Sequence, residues 1–101
     1  MSYASKVVLI TGAAKRVGAH IARFLHQHQM RIAIHYRSSW QEAENMCAQL
    51  NQQRSHSAIA LQANLNDTSY LPQLISTTLK TWGQLDVLIN NASDFKTTPF
   101  G

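Results

Sequence analysis

Residues 7–18 read VVLITGAAKRVG, and the fold turns on how this stretch is understood. Val7, Val8, Leu9 and Ile10 form an apolar run without alternation, the pattern of a parallel strand covered on both faces. Thr11-Gly12 ends the run. From Gly18 the apolar residues change to helical spacing, with Val17, Ile21, Ala22 and Leu25 on one stripe that continues to about Gln29. A strand that turns through glycine into a helix leaves orphan backbone N–H groups and the positive end of the helix dipole at one spot, which favours a phosphate. Two glycines alone also suit an ordinary strand-to-helix turn. Lys15 and Arg16, placed where further glycine would be easier, point instead to an anion. Gly18 is followed by Ala19-His20 rather than Lys-Ser or Lys-Thr, so a Walker-type phosphate loop is set aside.

The same alternation runs through the rest of the chain. Residues 31–36 (RIAIHY) read as a second strand, and Ser39 with Glu42 makes a capping-box signature for a helix whose apolar positions are Ala43, Met46, Cys47 and Leu50. Residues 57–62 (SAIALQ) read as a third strand. Asn66-Asp67 supplies a cap for a third helix, with Leu71, Leu74, Ile75, Leu79 and Trp82 on its buried side and Pro72 in the first turn, where a missing N–H does no harm. Gly83 suits a left-handed helix end, and residues 85–90 (LDVLIN) form a fourth strand. Four strands alternating with three helices predict right-handed crossovers and a doubly wound parallel sheet of the α/β class. The expected strand order is 3-2-1 with the fourth on the other side of the first. That order places the switch point, where ligands bind in such sheets, beside Gly12.

Bulk properties limit the alternatives. The 101 residues, 45% hydrophobic and 14% charged, allow one modest domain and are unlike a disordered tail. A single cysteine, Cys47, rules out an internal disulfide and fits a reducing compartment, so a cytoplasmic protein is expected. The apolar run after Lys6 is too short for a signal peptide or a membrane span. The net charge of +4 is concentrated at the front, since Lys6, Lys15, Arg16, Arg23, Arg31 and Arg37 all precede Glu42, the first acidic residue. That asymmetry suits either a solvated basic surface or an anion site. Zinc-finger spacing, RNA-binding aromatic motifs and dense Lys/Arg runs are all missing, so nucleic acid is not the expected partner.

The end of the second strand narrows the anion. Dinucleotide-binding sheets place a carboxylate there to hold the ribose of NAD, whereas NADP-binding ones place arginine. The chain has His35-Tyr36-Arg37-Ser38-Ser39 and no acid. Arg37 offers paired donors to a 2′-phosphate, Ser38 adds a hydroxyl, and Lys15 and Arg16 approach from the glycine turn. NADP(H) is therefore expected over NAD(H).

VVLITGAAKRVG, together with QANL at residues 62–65 and NNAS at residues 90–93, resembles the short-chain dehydrogenase/reductase family, whose fold is a Rossmann-type sheet. Arginine at position 16, where the family usually has its middle glycine, together with HYRSS and NNASDF, is similar to the pteridine reductase branch. That resemblance implies an NADPH-dependent reductase of dihydropterin or dihydrofolate substrates, assembled as a homo-tetramer. It implies cofactor contacts from Gly12, Lys15, Arg16, Val17, Gly18, Tyr36, Arg37, Ser38, Asn64, Leu65, Asn91, Ala92 and Ser93, and pterin contacts from Arg16, Ser93 and Phe95. A carbonyl substrate such as a 3-oxoacyl thioester is the alternative within the family, and a non-catalytic nucleotide-binding or nucleic-acid-binding module is the alternative outside it.

Two departures from the family pattern stand out. Asn64 replaces the usual aspartate beside adenine, keeping an amide oxygen but losing charge assistance. The family's Tyr-x-x-x-Lys pair is not found, since Tyr3, Tyr36 and Tyr70 are followed four residues later by Val7, Trp40 and Leu74. Residues 1–101 are accordingly expected to be the N-terminal NADP-binding part of a reductase domain, truncated before the catalytic end and inactive alone. No catalytic residue is assigned. His20, His26, His28, His35 and His56 show no metal-binding spacing. Cys47 fits a buried small hydrophobe. Trp82 fits core packing, and Trp40 either packs or edges the adenosine pocket.

Overall fold

The computed structural model describes residues 5–64, 66 and 69–91. The elements follow in the order β1 (Val7–Thr11), α1 (Arg16–Gln27), β2 (Arg31–Tyr36), α2 (Trp40–Gln53), β3 (Ala58–Gln62), α3 (Tyr70–Trp82) and β4 (Val87–Asn90). They form one parallel sheet in the order β3-β2-β1-β4. This is the expected partial Rossmann-type α/β fold.

The unbroken apolar runs are explained by burial on both faces. Along β1 and β2 alternate side chains point to opposite sides. Val8, Ile10, Ile32 and Ile34 pack with Ala22 of α1 and with Met46, Cys47 and Leu50 of α2. Leu9 and Ala33 pack with Leu74 of α3, and Tyr70, Ile75 and Trp82 flank them. Two helices cover one face and one covers the other. Burial also pushes the Cys47 thiol up to about 11, which leaves it an inert packing group.

Helix ends and stripes depart from expectation in four places. Val17 is 62% exposed, because α1 lies on the sheet through Gly18, Ala22 and His26, one position round from the anticipated stripe. In α3 the buried row is Leu74 and Thr78, with the Thr78 hydroxyl donating to the Leu74 carbonyl at 2.8 Å, while Leu79 is 43% exposed. The Ser39–Glu42 capping box does not form: Ser39 is the N-cap of α2 but makes no side-chain cap bond, and the Glu42 carboxylate is drawn instead to Lys15, 4.0 Å away. The N-cap of α3 is Ser69 rather than the Asn66-Asp67 pair. Asn66 is taken up by an earlier turn, its N–H donating to Asn64 Oδ1 at 3.0 Å, and Asp67 lies outside the described residues. Gly83 ends α3 in the left-handed region at φ 76°, as its position predicts.

Among the described residues β4 is the sheet edge beside β1, and it is less covered than its composition warrants: Val87 is 39% exposed and Leu88 and Ile89 are only half-buried. An apolar edge strand with open backbone groups is a template for pairing. The isolated chain is expected to self-associate through this edge. Size-exclusion chromatography with light scattering across a concentration series should show mass rising above the monomer. A sharp monomeric transition at all concentrations would contradict it.

Candidate functional site

The site is built where three strand ends meet the start of α1. Gly12 follows β1 with φ 64°, a conformation open to glycine at little cost. The chain then doubles back so that Gly18 lies against it: a β-carbon at position 18 would come within 2.4 Å of the Gly12 carbonyl oxygen, 2.6 Å of Asn91 Nδ2 and 2.8 Å of the Ala13 α-carbon. No side chain fits there. α1 can begin close to the sheet only because position 18 is bare.

Side chains from β1 and the end of β4 tie this approach together. The buried Thr11 hydroxyl donates to Asn90 Oδ1 at 2.8 Å and accepts the Asn91 N–H at 2.9 Å. Asn91 Nδ2 donates to the Gly12 carbonyl at 3.1 Å. On the other side His35, the penultimate residue of β2, accepts the Gly12 N–H on Nδ1 at 2.9 Å, and its backbone carbonyl accepts the Ala13 N–H at 3.0 Å. Its Nε2 lies 3.0 Å from the Ala63 carbonyl. The first two amides of the glycine turn are thus consumed within the protein, and an anion is left the later amides of the turn and the first turn of α1. That turn contains no acidic residue and no side-chain cap.

Lys15 and Arg16 flank this helix start on the surface. Lys15 makes an ion pair with Glu42 in which both side chains are more than half exposed, an interaction worth little in water. Arg16 has φ 56°, a left-handed backbone that glycine adopts without cost and arginine only with strain of about 1 kcal/mol. Arg37 and Ser38 follow β2 on the surface, and the Arg37 carbonyl is held by Gln62 Nε2 at 3.0 Å. Tyr36 is half-buried, and its carbonyl accepts the Ala63 N–H. The Asn64 oxygen expected to face adenine already accepts the Asn66 N–H. Leu65, Ala92, Ser93 and Phe95 lie outside the described residues. Gly12, Gly18 and the turn cations therefore lie at the carboxyl end of β1, with Asn91 at the end of the neighbouring β4 and Arg37 at the end of β2 on the other side. Trp40, 59% exposed at the start of α2, packs in no core cluster.

A family model described as short chain dehydrogenase matches residues 6–101. The chain belongs to the short-chain dehydrogenase family. Among its curated relatives, pteridine reductase 1 of Leishmania tarentolae is 37% identical over 110 residues, covering 92% of this chain and 38% of the relative. A 3-oxoacyl-[acyl-carrier-protein] reductase of Synechocystis sp. is 35% identical over 88 residues, covering 87% and 35%. Versicolorin reductase 1 of Aspergillus parasiticus is 33% identical over 87 residues, covering 86% and 33%. The chain thus spans about a third of the length of these relatives.

Within this short-chain dehydrogenase segment, sequence reasoning overlooked His35 and Thr11. His35 is the one polar side chain in an otherwise apolar strand interior, directly before Tyr36-Arg37, and that position was the available signal. Thr11 carries no signal beyond a hydroxyl at the end of an apolar run. Among the described residues no group of three His, Cys, Asp or Glu could hold a metal ion, and no helix is long and apolar enough to cross a membrane.

Substituting Gly18→Ala should force the turn, Asn91 and α1 apart. Overpacking of this kind costs on the order of 2 kcal/mol, and chemical denaturation should show it. Gly83→Ala, where open space surrounds the β-carbon position, is the comparison: it should cost only the strain of its positive φ.

Proposed function

We propose that this chain is the cofactor-binding part of an NADPH-dependent reductase that acts on pterins. The observation that carries the reading is Arg16. Its left-handed backbone is the one a glycine would hold without strain, and a strained residue at the mouth of a ligand cradle is retained where its side chain serves the ligand. The cradle itself suits a pyrophosphate: a bare Gly18, a left-handed Gly12 and a helix start with no acid to repel it. The end of β2 suits a 2′-phosphate, since residues 35–39 hold Arg37, Ser38 and Ser39 and no carboxylate. When bound, the coenzyme supplies a hydride. The part of this chain is to grip the pyrophosphate with the amides of residues 14–18, to neutralise the extra phosphate with Arg37, Ser38 and the turn cations, and to line the nicotinamide side with Asn91 and Ala92.

For the substrate, the similarity to pteridine reductase 1 supports contacts from Arg16, Ser93 and Phe95, the last stacking on a flat pterin. Val17, Tyr36, Asn64 and Leu65 complete the cofactor contacts. Proton delivery falls to a Tyr-x-x-x-Lys pair that residues 1–101 do not contain, so this chain alone holds coenzyme without completing the reaction. The complete protein is a cytoplasmic homo-oligomer. The similarity to 3-oxoacyl-[acyl-carrier-protein] reductases favours a second substrate class, for which Arg16 and Phe95 would be unneeded.

Calorimetry on the chain should show NADPH binding well above NADH and above a random DNA duplex. Arg37→Ala should remove about 2 kcal/mol of that preference, roughly 30-fold in Kd, with little change for NADH. Arg16→Gly should leave stability within about 0.5 kcal/mol, because relief of left-handed strain offsets the greater freedom of glycine in the unfolded chain, yet weaken NADPH binding. The longer protein that carries this segment should oxidise NADPH with dihydrobiopterin or dihydrofolate, and turnover with a 3-oxoacyl thioester alone would favour the second class.

A further inference from the structure

We propose that His35 is a positioning residue for the dinucleotide site: its neutral ring, locked in one tautomer, holds the glycine turn in its anion-binding shape, and protonation of the ring releases it. The proposal rests on the dinucleotide reading above. Its geometry is independent of that reading.

The tautomer follows from the partners. The Gly12 N–H can only donate, so Nδ1 must be the bare, accepting nitrogen at 2.9 Å. The Ala63 carbonyl can only accept, so Nε2 carries the proton at 3.0 Å. One ring thereby links the end of β1 to the segment after β3, with β2 between them. Gly12 is the place where such a link matters. With φ 64° and no side chain it is the softest hinge in the turn, and its two flanking peptide planes are pinned separately, the N–H by His35 and the carbonyl by Asn91. Losing the first pin frees the Thr11–Gly12 plane, so that Gly12 can turn at the head of the segment whose amides, residues 14–18, are left for phosphate.

Protonation removes that pin for a simple reason: an imidazolium has two N–H groups and no acceptor, so Nδ1 and the Gly12 amide would present hydrogen to hydrogen. The ring is buried on the α3 face of the sheet, with the Tyr70 ring 6.4 Å away. The titratable and charged groups on the elements around it are Arg31 and Tyr36 on its own strand and Tyr70 and Lys80 on α3, with Lys15 and Arg16 beyond the turn and Arg37 beyond β2. Desolvation holds the imidazole below its ordinary value of 6.5, and the hydrogen bond to the Ala63 carbonyl opposes this in part. The fold therefore favours the neutral ring. Its contribution is complete above the unfolded value of 6.5 and is lost as the pH falls through the lowered folded value. His26, also buried and also held low, lies in α1 against Ser57 and away from the turn, so the effect must be read as a difference between variants.

The test uses the 101-residue chain with NADP⁺, which survives acid, titrated by calorimetry from neutral pH downward. His35→Asn keeps an acceptor near the Nδ1 position but cannot be protonated, and His35→Phe keeps the ring volume and neither bond. Wild type should bind with constant Kd near neutral pH and weaken as the pH falls through the lowered folded value of His35, by up to about tenfold per pH unit for one proton. Asparagine should match wild type within about threefold at neutral pH and lack the extra decline, since the 2′-phosphate of the ligand titrates equally in both. Phenylalanine should bind at least about tenfold more weakly at neutral pH, with the gap to wild type closing in acid; should it fail to fold, the asparagine comparison decides. Identical pH profiles for wild type and asparagine would overturn the proposal. In the ligand-free chain, magnetic resonance of isotope-labelled histidine should find Nε2 protonated, Nδ1 accepting, and the Gly12 amide protected from exchange until the ring titrates. A protonated Nδ1 at neutral pH would overturn the proposal as well. If no dinucleotide binds, the functional reading falls and the resonance result alone judges His35.

Discussion

The contact that the rest of the structure depends on is the one between Gly18 and the turn beneath it. α1 begins where it does because its third residue has no side chain, and a single carbon there would meet the Gly12 carbonyl, Asn91 and Ala13 at once. That closeness brings the dipole of α1 to the carboxyl ends of β1 and β4 and turns a junction into a concave patch of backbone donors. Thr11, Asn90, Asn91 and His35 are then understood as the side chains that hold the two peptide planes of Gly12 against a helix that would otherwise push them away.

Around this frame the cations divide by what holds them. Lys15 is diverted toward Glu42, the residue at capping-box spacing in α2, and Arg37 has its backbone fixed by Gln62 from the neighbouring strand. Arg16 differs from both. Its backbone conformation is costly for any residue with a β-carbon, and nothing in the packing of the fold requires a charged side chain at the first position of α1. The conflict between local preference and observed residue is of the kind that marks functional positions in otherwise consistent sequences.

Sheet order, helix count and the core were legible because burial on both faces leaves a coarse signature: the runs at residues 7–10 and 31–36 could be little else, and Ala43, Met46, Cys47 and Leu50 all proved buried. The site was legible only as far as backbone requirements leave glycines and charges in the sequence. Which residues of a helix face inward was not, as Val17 and Leu79 show. A shift of one position is about 100° around a helix, and in α1 the packing distance set by Gly18, not the apolar periodicity, decided it. Side-chain hydrogen bonds were also hidden. Ser39 and Glu42 have the spacing of a capping box, but a nearby lysine competes for the carboxylate. His35 reads as one histidine among five until the turn is seen beside it.

The bonds that close the cradle join distant parts of the chain: Thr11 to Asn90 and Gly12 to Asn91 each span 79 residues. β1, emerging before the other described strands, can pair with β2, which pairs in turn with β3, and recruit α1 and α2 long before β4 exists. Its other edge and the glycine cradle must wait for β4. Such long loops are slow to close, so nascent chains carry a nearly finished half-sheet with an unfinished pocket. In this topology the proposed nucleotide cradle closes late and all at once, when Asn91 arrives to meet a glycine laid down 79 residues earlier.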